Sequence, residues 1–174
     1  MHLVNQMLVL LSAEPSGRHA DLAAPIDVPE LIRERSPEWI RLAETHRIDL
    51  GFELQPACVR GDNLLLGEAI ANLVINAIHY TPADGEVTIR CRQQGHDVFI
   101  EVEDNGPGIP LAARESIFER FFRLPGTGGQ GSGLGLAIVR EIARGFGGEV
   151  HALDPTGGRG ARLQVRLPSS PSST

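Results

Sequence analysis

The chain has 174 residues, 41% of them hydrophobic and 22% charged, which suits one ordinary domain with a covered core. Its formal net charge of −6 lacks the basic excess that binding to a phosphate backbone requires, so nucleic acid is excluded as a partner class. All 16 basic residues are arginine, which removes P-loop enzymes and eukaryotic-type protein kinases, since both need a lysine on the phosphates.

Met1 to Ala13 is an apolar run without helix breakers, with Leu3, Met7, Leu10 and Leu11 at helical spacing, and it reads as the end of a helix. No window reaches the roughly 20 apolar residues of a membrane span, and the N-terminus carries no signal-type pattern. Residues 14–25 mix Pro15, Ser16 and Gly17 with polar residues, so they are expected to be a linker, with the main domain over 26–167. Pro29 opens a helix that Leu31, Ile32, Trp39, Ile40 and Leu42 carry to about Thr45. Cys58 and Cys91 stand far apart without a second pair, as in a reduced interior.

Four strands are predicted from period-two alternation: Ile48 to Leu54, Val87 to Arg92, Asp97 to Asp104, and Ala161 to Leu167. Alternation gives each strand one wet and one buried face, the pattern of a sheet covered by helices on one side. The expected fold class is therefore a two-layer α/β sandwich. Helices over Asn63 to Tyr80 and Gly133 to Phe146 would form the second layer, and the Pro- and Ser-rich tail over 168–174 is expected to be disordered.

Three constellations carry chemistry. On the helix ending at Tyr80, successive residues turn by about 100°, so Glu68, Asn72, Asn76 and His79 share a polar face within roughly 80°, with Tyr80 just beyond it. Two asparagines one turn apart fit a plain wet face as well as a site for a magnesium ion, which takes neutral carbonyl oxygens beside phosphate and water. The second constellation is Asp104-Asn105-Gly106-Pro107-Gly108-Ile109-Pro110. Asp104 has the parity of Val98, Ile100 and Val102, so its carboxylate should point inward, where the exocyclic amine of adenine is a fitting donor. Gly106 and Gly108 would let a flat base approach. Taken alone, a simple Asp/Asn/Gly turn after a strand is the favoured explanation of that segment. The third is the glycine run from Gly126 to Gly135 leading into an amphipathic helix, with Ser132 as the expected N-cap. Such a helix start presents N–H groups to phosphates. Its Gly131-Ser132-Gly133-Leu134-Gly135 spacing is not the dinucleotide-binding pattern.

Taken in order, these segments resemble the catalytic ATP-binding domain of sensor histidine kinases. Asn72 to Pro82 is similar to that family's N box, Asp104 to Pro110 to its G1 box, Ile117 to Arg123 to its F box, and Gly131 to Leu136 to its G2 box. The resemblance implies a Bergerat-type sandwich that binds ATP and Mg2+. Asn76 would ligate the magnesium with help from Asn72, and Asp104 would hold adenine. Arg120 and Arg123 would steady the γ-phosphate. The expected nucleotide contacts also include His79, Tyr80, Gly106, Gly108, Ile109, Phe118, Ser132, Leu134 and Leu136, with Gly131, Gly133 and Gly135 as lid hinges.

The implied reaction passes the γ-phosphoryl group to a histidine on a separate dimerisation domain, then to an aspartate of a response regulator. The parent would be a homodimer in the inner membrane with this domain in the cytoplasm, and no direct membrane contact from this piece. Met1 to Ala13 resembles the end of the dimerising helix, and His2 lacks the acidic residue and Thr-Pro of a phosphoacceptor, so the chain is expected to lack its own acceptor. His79 stands where the family usually has Lys or Arg, and Gly160-Ala161 replaces the usual Gly-Thr step. The alternatives are an ATPase of the same superfamily or a non-catalytic ATP-binding module. ATPases of this fold carry a glutamate at the position of Asn72, and Glu68, one turn earlier, is a weaker candidate for a base.

Overall fold

The computed structural model describes residues 24–124 and 132–170. Seven strands and three α-helices follow in the order β1 (Ala24–Asp27), α1 (Val28–His46), β2 (Asp49–Leu54), β3 (Cys58–Gly61), α2 (Asn63–Tyr80), β4 (Glu86–Gln94), β5 (Asp97–Asp104), α3 (Gly135–Gly145), β6 (Glu149–Leu153) and β7 (Arg162–Pro168). Two 3-10 turns, Leu111–Ala113 and Ser116–Phe118, lie between β5 and α3.

Local chemistry sets the helix starts. The Asp27 carboxylate accepts from the Glu30 N–H at 2.9 Å ahead of Pro29, and Asp62 accepts from Leu64 and Leu65 at 2.8 and 3.1 Å. These bonds satisfy donors that a helix start leaves open. α1 ends at Arg47, whose φ of 57° is the left-handed stop that more often falls to glycine.

The main sheet has the order β2-β4-β5-β7-β6. β2 and β4 run parallel and the other neighbours antiparallel. Val87, Ile89, Cys91, Val98, Ile100, Val102, Leu163, Val165 and Leu167 point into one core with Trp39, Leu73, Val74 and Ile78 of the helices. The two-layer α/β sandwich expected from alternation is the observed architecture. The opposite face of the sheet is held by ion pairs: Arg90 with Glu53 and Glu103, and Glu101 with Arg92 and Arg162. Glu101 is only 1% exposed, yet Arg92, Arg162 and Gln164 all donate to it, and these partners hold its pKa below the ordinary range against the opposing effect of burial.

Three strands escape the alternation pattern. β1 and β3 have four residues each and pair antiparallel apart from the main sheet, and β6 is an edge strand of five. Segments that short carry little periodicity. β1 begins at Ala24, two residues ahead of the expected boundary. The tail is ordered further than its composition suggests: Ser169 donates to the His96 carbonyl and Ser170 to that of Cys58, both at 2.8 Å, and Ser170 is buried. The expected helix Met1 to Ala13, residues 14–23 of the linker and the end of the tail lie outside the described residues.

Candidate nucleotide-binding site

Between α2, the end of β5 and the start of α3 lies a cavity of about 410 Å³, within the range of small-molecule sites. Its apolar depth is formed by Leu73 and Ala77 of α2, Val102 of β5, Ile109, Ile117 and Leu163.

Asp104 closes one end. It is the last residue of β5 and is 8% exposed. Its Oδ1 accepts from the Gly106 N–H at 2.8 Å and the Ala161 N–H at 3.3 Å. Both bonds end on one oxygen, and among the described residues no hydrogen bond ends on Oδ2. Burial pushes the carboxyl pKa up, the two amide donors pull it back, and Glu103 adds to the rise.

The strand parity that turns Asp104 inward is the one read from the sequence, but the support comes from glycines on two loops. A Cβ on Gly106 would stand 3.0 Å from Asp104 Oδ1. At Gly160, with φ +102°, a Cβ would stand 1.7 Å from the Asp104 carbonyl oxygen. Gly108, which lines the cavity with Ile109, meets the carbonyl of Gly160 in the same way. The loop after β6 is tied down twice more, by Arg114 to Asp154 at 2.7 Å and by the Thr156 hydroxyl to Glu103 at 3.0 Å.

Asn72, Asn76, His79 and Tyr80 line the wall from α2, with Tyr80 on the Asp104 side, where its carbonyl and Asp104 Oδ1 would each stand 3.0 Å from a Cβ on Gly106, and Arg123 lines it from the segment after the second 3-10 turn. Burial lowers the pKa of His79, and His46 of α1, with ring centroids 5.3 Å apart, lowers it further. His79 is therefore mostly neutral near pH 7, unlike a lysine or arginine. Ser132, Gly133, Gly135 and Leu136 also line the cavity, with Gly135 against Asn72. Gly133 has φ +71°, and a Cβ there would meet the Phe121 backbone at 2.8 Å; the Phe121 N–H donates to its carbonyl at 2.8 Å.

Several expected positions fall elsewhere. Glu68 does not line the cavity; its carboxylate meets Arg35 of α1 at 3.5 Å and ties the two helices together. Phe118 is buried at 3% in the main core and Leu134 at 3% against Ala69, Ile138 and Ile142, so both support the walls from behind. Arg120 is exposed and outside the lining, while Arg123, three residues on, is part of it. Gly106 acts on Asp104 and is not itself in the lining. Ser132 is not the N-cap: α3 begins at Gly135 with Leu134 in the cap position, and the Ser132 hydroxyl accepts from the Leu134 N–H at 3.4 Å. Gly131 lies outside the described residues. Ala161 and Leu163 share the parity of a predicted strand, so their place on the wall was within reach of the alternation pattern. The partnership of His46 with His79 had no sequence signal.

The donor chemistry suits a nucleotide with a hard cation. Among the described residues no group of three or more His, Cys, Asp or Glu side chains could hold a metal alone. A neutral amide such as that of Asn76 fits a magnesium ion whose other ligands are phosphate oxygens and water.

Comparison with known proteins identifies the family and the fold. Residues 61–171 match the family model described as histidine kinase-, DNA gyrase B-, and HSP90-like ATPase. The sensor protein kinase PmrB of Pseudomonas aeruginosa is 38% identical over 147 residues, which are 84% of this chain and 31% of that protein. The chain spans about a third of the length of the curated relatives it matches. A solved structure of the mycobacterial sensor histidine kinase MprB superposes with a TM-score of 0.74 at 35% identity, covering 86% of this chain and 99% of that one. Full-length ShkA in complex with AMPPNP superposes with a TM-score of 0.83 at 27% identity, covering 99% of this chain and 36% of that one.

Proposed function

This chain belongs to the histidine kinase-, DNA gyrase B- and HSP90-like ATPase family as a sensor histidine kinase catalytic domain, and from that premise we propose how its cavity is used. ATP lies with adenine at Asp104 and its phosphates toward Asn76, His79 and Arg123. Asn76 would hold a magnesium ion, which would supply charge neutralisation at the phosphates. The γ-phosphorus leaves its bridging oxygen to ADP and bonds to a ring nitrogen of a histidine on a separate dimerisation domain. An aspartate of a response regulator then takes the group. Asp104 orients the base, the glycine-lined start of α3 presents N–H groups to phosphate oxygens, and Arg123 adds a cation. Such positioning is most of what phosphoryl transfer asks of a protein. The parent is proposed to be a homodimer of the inner membrane, with this domain on the cytoplasmic side. Among the described residues no helix is long and apolar enough to cross a membrane.

The observation that carries this reading is the buried Asp104, with Oδ1 held by two backbone donors and Oδ2 left for the ligand. A second observation favours a kinase over a hydrolase. Asp104 is the single carboxylate among the described lining residues, at the base end, and Glu68 is committed to Arg35. No described carboxylate stands beside the phosphates to activate water. The test mixes the chain with radiolabelled ATP and a separate acceptor-helix domain. Acid-labile label on that domain is the expected result. Phosphate release alone would identify an ATPase, and retained ATP with neither outcome a binding module.

A further inference from the structure

The two asparagines of α2 look equivalent in sequence, but the fold treats them differently. Leu65, Ala69, Asn72 and Asn76 follow one another at steps of four, three and four, so they form one stripe along α2 within roughly 60°. Leu65 and Ala69 pack against Leu134, Ile138 and Ile142, where α3 lies across the stripe. Asn72 comes next and meets the first residue of α3: a Cβ on Gly135 would stand 3.1 Å from Asn72 Oδ1. The Asn72 amide cannot turn away freely, because its Nδ2 donates to the Glu68 carbonyl at 2.9 Å. Both asparagines line the cavity, but the atoms nearest a Cβ on Gly135 are all Asn72's, and Asn76 stands one turn on.

The start of α3 needs such a support. Among the described residues no side chain caps it, and its first residues, Gly135 and Leu136, line the cavity. The uncapped N–H groups and positive dipole end of a helix hold an anion only where the helix is seated at the right distance.

We infer that Asn72 is a positioning residue: its amide is the stop that seats the first turn of α3 beside Asn76, and it is not a metal ligand. This rests on the nucleotide reading above, and it assigns to Asn72 a role different from that of Asn76. Glycine at 135 follows from the same contact, since a methyl group there would press on the stop and push α3 away from the phosphate end.

A double-mutant cycle on the purified chain tests this by calorimetric ATP binding with and without Mg2+. Gly135→Ala should weaken ATP about tenfold when Asn72 is present, and by less than about threefold in the Asn72→Ala background, where the obstacle is gone. Asn72→Ala alone should leave the ratio of ATP affinities with and without Mg2+ within about twofold of the unsubstituted chain, whereas Asn76→Ala should collapse it. Additive losses in the cycle, or a collapsed Mg2+ ratio in Asn72→Ala, would overturn the inference. If Gly135→Ala is too unstable for calorimetry, melting temperature decides instead: recovery on adding Asn72→Ala supports the stop, and no recovery overturns it. Failure of the unsubstituted chain to bind ATP would sink the nucleotide reading, which is a distinct outcome.

Discussion

Around Asp104 the cavity is held by backbone: two N–H groups fix one oxygen of Asp104, and three glycines let their loops close on it. Along α2 and the segment after the second 3-10 turn the lining groups are side chains, Asn72, Asn76, His79 with its lowered pKa, and Arg123, with no lysine among them. Backbone contacts across short distances leave little room to adapt, whereas side chains at helix ends can move by rotamer. The setting of Asp104 is thus fixed by backbone, and the α2 and Arg123 side is where charge and position can be adjusted.

The sharpest way to break this contrast is Gly160→Val. Its Cβ would overlap the Asp104 carbonyl, and its φ of +102° is a region that β-branched residues avoid. Strain and overpacking together should cost about 4 kcal/mol in denaturant unfolding and abolish nucleotide binding. An unchanged unfolding midpoint would show that the loop is not packed on Asp104. Next in size, Asp104→Asn keeps the Oδ1 bonds but turns an amine toward the base, so calorimetry should show adenine nucleotides weakened by about 2 kcal/mol, roughly 30-fold.

Smaller effects are expected from side chains on α2. His79→Lys supplies a permanent cation and should tighten ATP by about 1 kcal/mol at pH 7.5 while leaving adenosine unchanged. Equal gains for both ligands would move His79 away from the phosphates. The lowered pKa of His79 means that the unfolded chain binds more protons there. Its neutral form is therefore favoured by folding above the ordinary histidine pKa, and stability from this group is lost as pH falls below about 6.5. The melting temperature should drop less between pH 6.5 and 5 in His79→Gln than in the unsubstituted chain. The smallest effect should come from Glu68→Gln. This removes a partly exposed pair with Arg35, so stability should fall by less than about 1 kcal/mol and transfer to an acceptor domain should stay within about twofold. A large loss of transfer with normal stability would restore Glu68 as a base.

Much of the setting of Asp104 was legible in the chain itself. The inward parity of Asp104 follows from a strand predicted over Asp97 to Asp104 and found there. Asn63 to Tyr80 was likewise predicted and found as one helix, which places Asn72, Asn76 and His79 on a shared face. Glu68 shows the limit of that reading: it shares the polar face, but α1 lies beside it with Arg35, and only the packing of two helices separated in sequence could reveal the pair. Ser132 failed as a cap because α3 begins three residues later, at a boundary that tertiary contacts with α2 decide.

The sequence by itself determined the sandwich, the inward turn of Asp104 and the stripe of amides on α2, because these depend on side-chain periods of about two and 3.6 residues along single elements. Only the tertiary structure decided which members of a shared face meet the cavity. It put Arg35 on Glu68, His46 beside His79, Gly135 against Asn72 and Gly160 under Asp104. Each of these contacts joins segments far apart in the chain, and periodicity says which way a side chain points but not what stands opposite it.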